Sequence, residues 1–258
     1  MLADSHCHLD RLDLTDYNHD FKLALKEARA QGIKYLLAPS ISLESAFKIL
    51  EIVQSDPYLF AAIGVHPTEK DLRFPKPAEI LEHAQHHKVV AIGETGLDFC
   101  KDSKPEDIKR QLELFKLHIK AAKELSKPLI IHSRNADSLI IETLIEEQAK
   151  AVGGVIHCFT GTLEMAQKAV ELGFFISFSG IITFKNATEL RKIAKAVPLN
   201  KVMIETDAPY LAPVPLRGKP NQPAYLIHTA AFLSKHLDIS FEMFENTTTE
   251  NFLAFIKR

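Results

Sequence analysis

The stretch DSHCHLD, residues 4–10, sets two histidines, His6 and His8, two positions apart with an aspartate on each side. In an extended strand that spacing turns both imidazoles, and Asp4 with them, to one face and Cys7 to the other. Similar groups recur further along. His66 closes GVH, Glu94 stands in GETGLDF, His132 in IIHSR and His157 in VIHCF, while Glu205 and Asp207 stand two apart in IETDAP. Each ends a short apolar run. One buried histidine is more often a satisfied core residue than a ligand. So many titratable groups at one level would be costly if unpaired, which favours a shared site. Imidazole nitrogens and carboxylate oxygens suit Zn²⁺ or Mn²⁺, whereas Mg²⁺ prefers oxygen. By the same alternation Cys158, next to His157, faces away as Cys7 does, and neither thiol is expected to bind metal.

The elements that must carry these groups are legible in the apolar pattern. Strand-like runs occupy 1–6, 33–40, 59–66, 89–96, 128–134, 154–159, 174–179 and 202–207, most of them continuous in Val, Ile, Leu and Phe as in strands buried on both faces. Helical stripes lie between them. Ile108, Leu112, Phe115, Ile119 and Ala122 recur at the helical period, as do Leu226, Ala230, Leu233 and Leu237. A last short helix is expected from Thr249 to Ile256, with Thr248 as its N-cap. Strand and helix alternate eight times without a break in composition. That predicts an α/β fold, a (β/α)₈ TIM barrel in which residues 1–258 form a single domain with a C-terminal helix. An open doubly wound sheet is the alternative, but no GxGxxG or GxxxxGK[ST] sequence supports a nucleotide-binding version. Residues 209–224, PYLAPVPLRGKPNQPA, hold five of the 13 prolines and follow the eighth strand. In a barrel this is a long loop on the active-site face, expected to form a wall of the site.

The net charge of −2 provides no global attraction to nucleic acid or membrane, so any grip on a polyanion must be local. Three cysteines, Cys7, Cys100 and Cys158, cannot all pair within the chain and fit reduced thiols. With no signal pattern and no run long enough to span a bilayer, a cytoplasmic protein with no membrane partner is expected, acting as a monomer.

The order HxH, GETGLDF, HSR, HCFTG and ETDAPYL resembles the TatD family of metal-dependent deoxyribonucleases, within the amidohydrolase superfamily of barrels. SFSGIITFKNA (177–187) and PVPLRGKPNQPA (213–224) are similar to that family as well, so the likeness runs from residue 4 to the last helix. The resemblance implies a TIM barrel that hydrolyses phosphodiesters of nucleic acid, as a 3′→5′ exonuclease, with DNA or RNA as partner. Carried over, the metal ligands fall on His6, His8, Glu94, His132, His157 and Asp207. They would hold two divalent ions (Mg²⁺, Mn²⁺ or Zn²⁺) about 3.5–4 Å apart. His6, His8 and Asp207 would hold the first, His132 and His157 the second, and Glu94 would bridge them, with Asp207 also the general base. One departure is visible. Where the family often carries aromatic residues after GLD, this chain has FCK, which leaves no stacking role for Cys100 or Lys101.

The remaining groups are assigned from position. His66, Arg134 and Arg217 are expected to contact substrate, with Lys219 at the surface. Asp98 would organise the loop after strand 4, Asp4 would lie one layer below His6, and Glu205 would either join the metal site or serve as a buried structural acid. The rival reading is a hydrolase of the same fold acting on another ester or amide, for example one that removes D-amino acids from tRNA. Serine or cysteine nucleophile chemistry is disfavoured by the lack of a GxSxG elbow.

Overall fold

The computed structural model describes residues 1–69, 73–99 and 104–257; Cys100 and Lys101 lie outside the described residues. Eight strands, β1 (Leu2–Asp4), β2 (Ile33–Pro39), β3 (Leu59–Ile63), β4 (Val89–Asp98), β5 (Leu129–Arg134), β6 (Gly154–Ile156), β7 (Phe175–Phe178) and β8 (Val202–Ile204), pair in parallel in sequence order. Ser5 N–H donates to Ile204 O at 3.0 Å and Asp207 N–H to His6 O at 2.9 Å, so the last strand meets the first. The fold is the (β/α)₈ barrel expected from the alternation. The helices are α1 (Phe21–Ala30), α2 (Leu43–Gln54), α3 (Pro77–Ala84), α4 (Pro105–Leu125), α5 (Asp137–Glu146), α6 (Leu163–Glu171), α7 (Thr188–Ala196), α8 (Leu226–His236) and α9 (Phe241–Ile256).

Successive strand side chains go to opposite faces, and the two faces build two separate cores. Leu36, Ile63, Ile92, Ile131, Ile156, Ile176 and Ile204 pack outward in one cluster with buried helix residues such as Phe115, Ile119 and Leu233. Ala3, Leu37, Ala62, Ala91, Ile130, Val155, Phe175 and Met203, one per strand, fill the interior together with Phe252 and Phe255 of α9. This last helix is longer than the sequence predicts. It starts at Phe241, capped by Ser240, whose side chain accepts from Met243 N–H. Thr248 is not its N-cap but an interior residue whose hydroxyl donates to Phe244 O at 2.9 Å. The ENTTTE run has poor helix propensity, but packing of Phe252 and Phe255 against the barrel overrides it.

The strands are also shorter than the apolar runs. His6, His8, His66, His157, Glu205 and Asp207 stand just beyond their strands, and only Glu94 and His132 lie within one. The polar groups therefore sit on the first residues of the βα loops, where a barrel carries its chemistry.

Candidate metal centre

His6 and His8 leave β1 with their Nε2 atoms 3.4 Å apart. Glu94 Oε2 lies 3.3 Å from His6 Nε2 and 3.9 Å from His8 Nε2. Asp207 Oδ1 completes this group at 3.7 Å from His6 and 3.4 Å from His8. The other oxygen of Glu94 faces a second group: Oε1 is 2.8 Å from His157 Nε2, 3.1 Å from His132 Nδ1 and 3.2 Å from His66 Nε2. All six expected ligands converge at one end of the barrel, and one carboxylate turns an oxygen to each cluster.

Local backbone explains how Glu94 reaches this position. The β4–β5 pairing shifts register between Ile92 and Thr95, on either side of Glu94. Gly96 has φ +138, and a Cβ there would collide with His132 O, so glycine lets β4 lie close against β5. On β8, Glu205 and Asp207 lie beyond Ile204 on the side of Met203, and both side chains are directed into the site.

A second set of carboxylates holds the imidazoles in place. Asp98 Oδ2 is 2.9 Å from His132 Nε2, which leaves Nδ1 to face Glu94. Glu205 Oε1 accepts from Cys158 N–H at 2.7 Å and stands 3.3 Å from His157 Nδ1, which leaves Nε2 for Glu94. Gln111 of α4 fixes Asp98 in turn, accepting its N–H at 2.8 Å and donating to its carbonyl at 3.0 Å. Such outer contacts set which ring nitrogen is free to ligate.

The cluster is strongly polarised. Burial alone would raise the Glu94 carboxyl, but the imidazoles around it, His157 foremost, hold it well below the usual carboxylate range. Burial alone would lower His157, but Glu94 and Glu205 push it well above the ordinary histidine value. Glu94 Oε2 is nevertheless buried with no hydrogen-bond partner. Three trios, His6–His8–Asp207, His66–Glu94–His132 and His6–His157–Glu205, each bring their ligand atoms within 4.8 Å of one another, so Glu205 stands close enough to join the site as well as to hold His157. The convergence of imidazole nitrogens and carboxylate oxygens from several strands fits divalent cations, and the mixed nitrogen and oxygen set suits Zn²⁺ or Mn²⁺.

The site opens into a cavity of about 560 Å³. His66 lines the cavity, with Nδ1 paired with Thr68 Oγ1 at 2.7 Å and Nε2 3.2 Å from Glu94 Oε1. Arg134 lines the cavity as expected, exposed, with Nη1 3.9 Å from Asp98 Oδ2. Arg217 does not. It is exposed and its guanidinium lies 4.0 Å from the centroid of the Phe184 ring, while Tyr210 and Leu211 are the residues of the proline-rich stretch that line the cavity. Lys219 is exposed as expected. Asp4 does not share the face of His6. Ala3 packs in the interior and Ser5 pairs with Ser177, while Asp4 accepts from Thr206 N–H and Oγ1–H, tying β1 to the segment after β8. Strand alternation fails there because β1 ends at Asp4. Cys7 is buried in the outer core as expected, but Cys158 lines the cavity, since β6 ends at Ile156 and Cys158 turns through φ +44. Neither thiol joins a ligand trio among the described residues. Arg11, three positions after His8, lines the cavity and was not singled out in the sequence, whereas Tyr210 and Leu211 line it from the proline-rich stretch expected to form a wall.

A (β/α)₈ barrel with paired histidine–carboxylate clusters at its mouth defines a metal-dependent hydrolase. The chain belongs to the TatD related DNase family, whose model matches residues 3–257. It is 42% identical over 252 residues to the uncharacterized metal-dependent hydrolase YcfH of Escherichia coli, covering 97% of this chain and 94% of that protein. To the uncharacterized metal-dependent hydrolase YabD of Bacillus subtilis it is 38% identical over 257 residues, covering 97% of each. Among solved structures, YjjV of E. coli, a TatD homologue, superposes with a TM-score of 0.90 at 26% identity over 100% of this chain and 98% of that one.

Proposed function

We propose that this hydrolase cleaves phosphodiester bonds of nucleic acid, as a 3′→5′ exonuclease on DNA, with two divalent ions at the paired clusters. The observation that carries the two-ion reading is the division of Glu94: Oε2 faces His6 and His8, and Oε1 faces His132, His157 and His66. In this reading His6, His8 and Asp207 would hold the first ion, His132 and His157 would hold the second, and Glu94 would serve both. Bound there, the ions would supply a water of lowered pKa and neutralise charge growing on the phosphoryl oxygens.

The chain's own groups do the rest. Asp207, at the cavity surface, accepts the proton of the attacking water and returns it to the leaving oxygen. Asp98 and Glu205 keep His132 and His157 in the tautomers that aim the correct nitrogen inward. His66, fixed by Thr68, directs Nε2 into the site, where it can donate to a phosphoryl oxygen. Arg11 and Arg134 at the cavity rim provide the local positive charge that a net charge of −2 lacks. The test is incubation of the purified protein with 3′- and 5′-end-labelled single-stranded DNA in Mg²⁺, Mn²⁺ or EDTA. Metal-dependent stepwise shortening from the 3′ end is expected. An intact strand under all three conditions, with release of the amino acid from a D-aminoacyl-tRNA, would replace this reading with that of an aminoacyl ester hydrolase.

A further inference from the structure

We propose that a side cleft next to the metal centre is a second nucleotide subsite, which holds the neighbour of the scissile phosphate. This rests on the nuclease reading. The cleft, about 580 Å³, lies between the loops after β5 and β6 and is comparable in size to the cavity over the metal centre. Ser133, Arg134 and Thr160 line both spaces, so the two are continuous across that shared wall. A single mononucleotide does not need both.

The chemistry of the cleft matches one nucleotide unit. Phe99 provides an aromatic surface on one side, and bases of any identity stack on such rings. The Arg134 guanidinium stands at the junction, exposed and only loosely paired with Asp98 at 3.9 Å, where the phosphate between two nucleotides would pass. The first turn of α5 forms the floor. Its N-cap residue is Ala136, which offers no side-chain acceptor to the N–H groups at the start of the helix. The one acid in the lining, Asp137, has its Oδ2 occupied within the lining, accepting from Thr162 N–H at 2.8 Å and from its hydroxyl at 3.0 Å. An aromatic ring, an exposed guanidinium and an uncapped helix start fit a base with its phosphate better than they fit a purely apolar group.

Ser138, exposed on the cleft rim and outside the metal clusters, allows a two-way test. Ser138→Arg should strengthen binding of a fluorescein-labelled trithymidylate about threefold by anisotropy in EDTA, and Ser138→Glu should weaken it about as much. The salt slope should steepen by roughly 0.7 for the arginine variant. With Mn²⁺, kcat/KM on the same oligonucleotide should follow that order, while turnover of methyl p-nitrophenyl phosphate stays within about twofold. A structural effect would run the other way, since a glutamate in the first turn of a helix favours it and an arginine does not. Oligonucleotide binding and cleavage by the wild type, with both variants unchanged or with equal changes on both substrates, would overturn the subsite alone. A wild type that turns over the small diester but neither binds nor cleaves any oligonucleotide would overturn the nuclease reading, and the subsite with it.

Discussion

Asparagine at Asp207 keeps the size of the side chain and one oxygen, but cannot take a proton. The Oδ1 position, 3.4 Å from His8 Nε2, would still be available to a metal. Asp207→Asn should therefore fold normally and bind DNA, while turnover falls roughly 10²–10⁴-fold. Saturating Mn²⁺ should rescue only part of that loss, and near-wild-type turnover at saturating metal would leave Asp207 as a ligand alone. The outer carboxylates should behave differently. Asp98→Ala removes the partner of His132 Nε2, and Glu205→Gln weakens that of His157 Nδ1. Each should lower metal affinity about 10–100-fold, read by titration against a competing chelator, with a smaller effect on turnover once metal saturates. Unchanged affinity in both would mean that these acids only brace the fold.

At the scale of elements, the barrel is closed by chemistry at one end and by an aromatic plug at the other. Phe252 is 1% exposed and packs near Tyr35 and Phe60, with ring centroids 6.0 and 6.3 Å away. Asn251 beside it donates to Leu199 O at 2.9 Å and Val202 O at 2.7 Å, which fixes α9 to the start of β8. Phe252→Ala should cost about 3–5 kcal/mol in denaturant unfolding, because the interior cannot collapse around the gap. The part that remains folded should retain its metal centre, which lies at the opposite end. A folded variant that loses metal would show the two ends to be coupled.

At the scale of the molecule, one histidine far from the chemistry links stability to pH. His118, buried on α4, donates from Nδ1 to Leu114 O at 2.7 Å and accepts Val65 N–H on Nε2 at 3.0 Å. It thereby pins the turn that carries His66. Burial pushes its pKa from 6.5 down to about 4, so the native state stays neutral after the unfolded chain has taken a proton. Its contribution is complete above pH 6.5 and is lost as pH falls towards 4, by up to an amount on the order of 3 kcal/mol. Urea unfolding of the wild type should weaken across that window, and His118→Gln, which removes the titrating group, should flatten that part of the profile. An equally steep decline in the variant would assign the pH dependence to other groups.

The barrel and the gathering of its polar groups at one rim are legible in the sequence alone. Eight buried runs alternating with helical stripes have one common solution, and the polar residues ending those runs had to gather at one rim, because unpaired groups of that kind are costly to bury. Short-range alternation ceased to be a guide where the strands stopped. β1 ends at Asp4 and β6 at Ile156, so Asp4 turned to Thr206 and Cys158 into the cavity. The resemblance already implied that Glu94 serves both clusters, but which oxygen faces which, Oε2 towards His6 and His8 and Oε1 towards His132, His157 and His66, was set by the tertiary structure. The tertiary structure also drew Arg217 away to Phe184, brought Arg11 to the rim, and made a helix of the ENTTTE run beneath the barrel. Each of these is settled by contacts between segments distant in sequence, whose energies outweigh the local preferences that a linear reading can weigh.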